Sequence, residues 1–176
     1  MASFDVALAW LLTSEDPLLT YEPNPDPGGF AIAGVNSHVF PEDYADIAAL
    51  PVSQRPAAVA SFYRHEFWNQ YYAQLNSDEV AKRVFDAAVN MGPGTAVRLL
   101  QEAIIDAWTD AHSITPIELA TDGAWGPKTV AAANALNDSL LVQWFKSYRC
   151  DHYDEIVAKN PANQKYLAGW LARASK

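Results

Sequence analysis

The chain has 176 residues, half of them apolar and six of them tryptophan, which suits one compact domain or two small subdomains sharing a core and excludes a disordered chain. Its formal net charge of −9, with no basic stripe, excludes nucleic acid as a partner. Cys150 is the only cysteine, so neither an internal disulfide nor a thiol-built metal site can form.

Phe4, Leu8, Leu11 and Leu12 recur at helical spacing and predict a helix ending before Pro17. The apolar run from Val6 to Leu12 is short and has no positively charged lead and no cleavage signal. It reads as a core helix, not a signal peptide. No stretch approaches the roughly 20 apolar residues that span a bilayer, so no membrane insertion is expected. The expectation is synthesis in the cytoplasm, with any action outside depending on release by another agent.

From Ser14-Glu15-Asp16 to Asp26-Pro27-Gly28-Gly29 the chain enters a loop built on four prolines and two glycines. Glu15 stands at the end of the apolar helix and Asp26 at the tight turn. A carboxyl against apolar residues at a helix end is expected to hold its proton, whereas one in a polar turn stays ionised. Two carboxyls in such unlike settings suit hydrolysis of a glycosidic bond. The plainer readings are a solvated charge for Glu15 and a turn-closing acceptor for Asp26. Glu22, between them, can replace either.

Phe30-Ala31-Ile32 is a short strand candidate, and Pro41 opens a short helical piece. Pro56 sits at a first helical position, and the stretch to Leu75 carries Val59, Phe62, Tyr63, Phe67 and Tyr71 on one side. Part of this aromatic segment must be core, and the remainder can line a groove for a flat ligand. Asn76 and Glu79 predict a capping box for Asp78 to Val89, with Val80, Val84, Phe85 and Ala88 inward. Gly92-Pro93-Gly94 breaks the chain before an apolar helix from Thr95 to Ala111. Gly126-Pro127 starts another helix, Asp138 caps a long one through about Val157, and Asn160-Pro161 opens the last. The histidines at 38, 65, 112 and 152 show no metal-ligand spacing, and no phosphate loop or nucleophile elbow is present. The pattern predicts an all-α protein with one irregular loop or short hairpin near the N-terminus.

Taken together, these segments resemble glycoside hydrolase family 108, the N-acetylmuramidases of phage endolysins and prophage lysis proteins. Phe4-Asp5-Val6-Ala7-Leu8 leading to Glu15 is similar to the helix that delivers the family's catalytic glutamate, and Asp26-Pro27-Gly28-Gly29 to its Asp-Pro-Gly-Gly turn. Gly34-Val35, Phe62-Tyr63-Arg64 through Trp68, and Val84 through Gly94 fall in the family's order. Asp122-Gly123-Ala124-Trp125-Gly126-Pro127-Lys128-Thr129 and Lys165 through Arg173 resemble its helical peptidoglycan-binding-type region. The loop departs from the family where Asp16-Pro17 replaces two glycines, where two further residues separate Glu15 from Asp26, and where Ala31 replaces a threonine.

The resemblance implies a lysozyme-like helical fold, with a catalytic region over 1–92 and a peptidoglycan-binding-like region over 93–176, packed as one unit. It implies a monomeric muramidase that cleaves the β-1,4 bond between N-acetylmuramic acid and N-acetylglucosamine during host cell lysis. Peptidoglycan strands would be its partner, with no cofactor or metal. Glu15 and Asp26 would be catalytic, and Gly28, Gly29, Tyr63 and Trp68 would bind substrate. The alternative is a catalytically impaired relative that binds glycan or a protein partner.

Overall fold

A computed structural model describes residues 1–26, 28–112 and 116–176. Its first helix, α1, runs Phe4–Glu15; Ser3 caps it by accepting from the Val6 N–H, and the Ser3 N–H donates to Asp78 Oδ1 at 2.7 Å. Phe4, Leu11 and Leu12 are buried along one face, as the apolar spacing predicts, with Ala7 buried beside them and Leu8 only half-buried. The helix ends at Asp16, whose N–H donates to Leu12 O.

Three short strands follow, β1 (Asn24–Asp26), β2 (Gly29–Ile32) and β3 (Val35–Asn36), antiparallel and in that order. Asp26 pairs with Gly29 and Ile32 with Val35. Pro27, inside the expected Asp-Pro-Gly-Gly turn, lies outside the described residues. The β2–β3 turn is Ala33-Gly34, with φ of 46° and 83°. Two successive positive φ values match the right-handed twist of the flanking strands.

Helix α2 (Pro41–Ala49) and α3 (Arg55–Glu66) back this sheet, with a 3-10 turn, Val52–Gln54, between them. The single helix expected from Pro56 to Leu75 is two. It breaks at Phe67-Trp68-Asn69, and α4 (Gln70–Gln74) restarts with Asn69 accepting from the Tyr71 N–H. A cap residue outweighs continuous apolar spacing here.

Helix α5 (Asp78–Met91) is central, packing on α1 and on the two long helices α6 (Pro93–His112) and α8 (Asp138–Lys159). Its N-cap is Ser77, not Asn76, whose N–H instead donates to Asn134 Oδ1 at 2.8 Å. Phe85 of α5 is fully buried and meets Phe4, Tyr63, Trp68 and Tyr72 edge-on, at centroid distances of 5.5 to 6.3 Å. Gly92 alone links α5 to α6, where the two halves were expected to divide. Helix α7 (Pro127–Asn134) packs on α4 and α6. Asn137, one residue before the expected Asp138, caps α8 by accepting from the Leu140 N–H. The last helix, α9 (Gln164–Ala174), lies on α8 after a 3-10 turn capped by Asn160. The described residues are therefore mostly helical with one small sheet, the architecture read from the sequence.

Candidate active site

Glu15 is the last residue of α1, and the β2–β3 turn lies against it. A Cβ built on Gly34 would collide with the Tyr63 hydroxyl and stand 2.8 Å from Glu15 Oε2. The absent side chain is what lets turn, tyrosine and carboxylate meet. Gly34→Ala adds this overlap to an unfavourable φ, so it is expected to lower stability by about 1–3 kcal/mol. Denaturant unfolding of the two proteins checks this.

Tyr63 is 1% exposed, and its hydroxyl donates to Ala33 O at 2.9 Å, holding a non-glycine residue in the left-handed region. Burial pushes the Tyr63 phenol well above its ordinary value and the neighbouring Glu15 charge adds to this, so it remains a donor. The expected role of Tyr63 in stacking a sugar is corrected by this burial: it shapes the turn from beneath. Trp68 is half-buried and lies away from Glu15. It stacks on Tyr72 at 4.9 Å and meets Phe4 at 5.5 Å, at the far end of α1. Eleven helical residues place that end about 16 Å from Glu15.

The apolar surroundings expected for Glu15 are not what the fold builds. Its Oε1 accepts from Arg173 Nη2 at 2.6 Å, and the two side chains keep 19% and 16% of their surface open. Arg173 comes from α9. Its guanidinium also holds Asp86 of α5, with Nε 3.0 and 3.2 Å from the two carboxylate oxygens and Nη2 2.9 Å from Oδ1. Arg149 of α8 closes the chain of charges, with Nη2 3.0 Å from Asp86 Oδ2 and both side chains 2% exposed. Burial works against the charge on Arg173, but Glu15 and Asp86 outweigh it and its pKa is raised.

Asp26 is exposed at the end of β1. Asn36 Nδ2 donates to its Oδ2 at 2.6 Å, while Asn36 Oδ1 accepts from the His38 and Val39 N–H groups. The amide is thus oriented by its own turn, and it orients the carboxylate. Asp26 lies at the β1–β2 end of the sheet and Glu15 at the β2–β3 end, separated by the length of β2, about 10 Å. Gly28, at φ 91°, sits under the His38 ring, and a Cβ on Gly29 would strike Ser37 Oγ, which accepts from the Phe30 N–H. Both glycines shape the hairpin tip.

The loop after Glu15 is ordered by a residue that the sequence reading treated only as a departure. Asp16 is 5% exposed, and its carboxylate accepts from the Thr20 and Tyr21 N–H groups and the Thr20 hydroxyl. This holds Leu19 and Tyr21 at positive φ, in place of glycine's freedom. Glu22, the other candidate acid, pairs at 3.2 Å with Arg55 Nη1, which also reaches Tyr21 O. A groove of about 450 Å³ adjoins the site, lined by Ser14, Asn90, Gly169, Trp170, Arg173 and others. Ser14 and Arg173 flank Glu15. Arg173, Asp86 and Asn36 escape sequence reasoning, because their partners are distant in the chain or across a sheet.

Residues 10–92 match a family model described as Glycosyl hydrolase 108, and residues 95–175 match one described as Predicted Peptidoglycan domain. Among solved structures the chain is similar to SagA of Brucella abortus, at 22% identity and a TM-score of 0.66. The match covers 98% of this chain and 89% of that one, a likeness of fold. No curated protein sequence matches the chain.

Proposed function

We propose that the chain, whose residues 10–92 match the Glycosyl hydrolase 108 model and whose residues 95–175 match the Predicted Peptidoglycan domain model, is a peptidoglycan hydrolase, an N-acetylmuramidase with Glu15 as general acid. The observation that carries this reading is the placement of Glu15. It ends a helix, keeps part of its surface open and lies beside the groove lined by Ser14, Trp170 and Arg173. Glu15 protonates the glycosidic oxygen between N-acetylmuramic acid and N-acetylglucosamine as the C1–O bond breaks. Asp26, aimed by Asn36, assists the water or stabilises the oxocarbenium-like charge at C1.

The peptidoglycan domain supports glycan strands as the partner. Action by a monomer on the cell wall after release, in lysis of the host, completes the proposal. Among the described residues no helix is long and apolar enough to cross a membrane.

One observation favours the second reading, a relative that binds glycan without turning it over: Glu15 is already engaged by Arg173. The experiment that separates the readings is digestion of purified peptidoglycan followed by borohydride reduction and mass spectrometry. A muramidase yields fragments ending in N-acetylmuramitol. Fragments ending in N-acetylglucosaminitol would overturn the bond assignment, and binding without fragments would favour the second reading.

A further inference from the structure

We propose that Arg173, although it comes from the peptidoglycan-domain half, is a positioning residue of the active site, fixing the Glu15 carboxyl for proton donation. The inference rests on the reading of Glu15 as the acid. A glutamate at a helix end has several rotatable bonds, and the freedom of such a side chain amounts to about 1.5–2 kcal/mol. Catalysis by a positioned group tolerates little of that freedom, since a misplacement of about 1 Å lowers rate by about 100-fold.

Among the described residues of the first half, no side chain donates to Glu15. Tyr63 gives its proton to Ala33 O, and the Ala33-Gly34 turn offers no side-chain donor. Arg173 Nη2 meets Oε1 at 2.6 Å, while Oε2 lies against the Gly34 turn, so the carboxyl is held between the guanidinium and the turn.

The guanidinium is itself immobilised. Its Nε and Nη2 both engage Asp86, which is 1% exposed, and Arg149 holds that carboxylate from the other side. Three helices, α5, α8 and α9, therefore combine to place one cation beside Glu15. Two cations and two carboxylates alternate in this cluster. Lys176, bonded to Ser14 Oγ, and Asp16, turned into its own loop, are further charges at this end of α1. A fixed cation there has a second use. When Glu15 gives its proton to the leaving oxygen, the carboxylate left behind finds a partner already in place, with no reorganisation.

The second half is thus part of the catalytic apparatus and not only an anchor to the wall. The test uses the full chain and compares wild type, Arg173→Ala, Arg173→Lys and Glu15→Gln on solubilised peptidoglycan, with thermal melts to verify folding. Arg173→Ala is expected to lower kcat about 100-fold with KM changed less than about twofold. Arg173→Lys should recover part of the loss, because its single ammonium cannot hold Asp86 and Glu15 in one geometry. Guanidinium ion at non-denaturing concentration should raise the activity of Arg173→Ala and leave Glu15→Gln unchanged. A folded Arg173→Ala with wild-type kcat, or a loss confined to KM, would overturn the proposal. If Arg173→Ala does not fold, Arg173→Lys decides: wild-type kcat in that variant overturns it as well. Full activity in Glu15→Gln would instead count against the assignment of the acid.

Discussion

Replacing Asp86 by alanine is expected to destabilise the protein by about 3–5 kcal/mol, the effect of leaving a buried charge without its partner. Among the described residues Asp86 is the one carboxylate on Arg149, which is 2% exposed, and it shares Arg173 with Glu15. Without it the described side-chain partner left to Arg149 is the Tyr153 hydroxyl at 3.4 Å. Water cannot take over, since both side chains are sealed between α5, α8 and α9. A loss of this size is a large part of the whole stability of a domain, about 5–15 kcal/mol. Urea unfolding followed by circular dichroism measures it, and a midpoint equal to the wild type would show that the network is not structural. The same change frees the Arg173 guanidinium, so any Asp86→Ala protein that folds should also be slow.

The helical frame was legible in the sequence because it depends on short-range spacing. Phe4, Leu11 and Leu12 lie on the inward stripe of α1, and prolines at 41 and 127 open two helices where proline is tolerated, whereas Pro93, read as part of a break before Thr95, itself begins α6. The hairpin was legible from its turn residues. The split between α3 and α4 was not, because Phe67, Trp68 and Tyr71 continue the apolar spacing across the break at Asn69.

Less of the site could be read. Glu15 and Asp26 were visible as acids beside a Pro/Gly loop. Their settings were not, since each is decided by a distant partner: Arg173 lies 158 residues from Glu15, and Asn36 reaches Asp26 across β2. The inference that apolar neighbours along α1 would surround the carboxyl failed for that reason. Local composition describes the helix, whereas the tip of a glutamate reaches beyond it. Tyr63 failed differently, because aromatic clustering signals a core and a sugar platform equally well. Here the core took that ring.

The Asp16-Pro17 departure also looks different in the fold. Where the related family has two glycines, this chain has a carboxylate that accepts three hydrogen bonds, and Arg55 clasps the same loop at Tyr21 O and Glu22. Ala31 has no such replacement. Its strand partners are Asn24 and Asn36, and neither brings a hydroxyl to that position.

Glu15→Gln is expected to abolish nearly all turnover while leaving the fold intact. The amide keeps the shape of the side chain and accepts from Arg173 through its carbonyl oxygen, so the α1–α9 contact survives. It has no proton to give a leaving alcohol. Removal of a positioned general acid lowers rate by about 10²–10⁴-fold. Glu22→Gln, measured beside it, tests the other acid of the loop, whose carboxylate pairs with Arg55. The direct measurement is reducing-end release from one batch of purified peptidoglycan by wild type and Glu15→Gln at equal concentration. The expected result is steady release by the wild type and at most about one hundredth of that rate from the variant. Equal release from the two proteins would contradict the account.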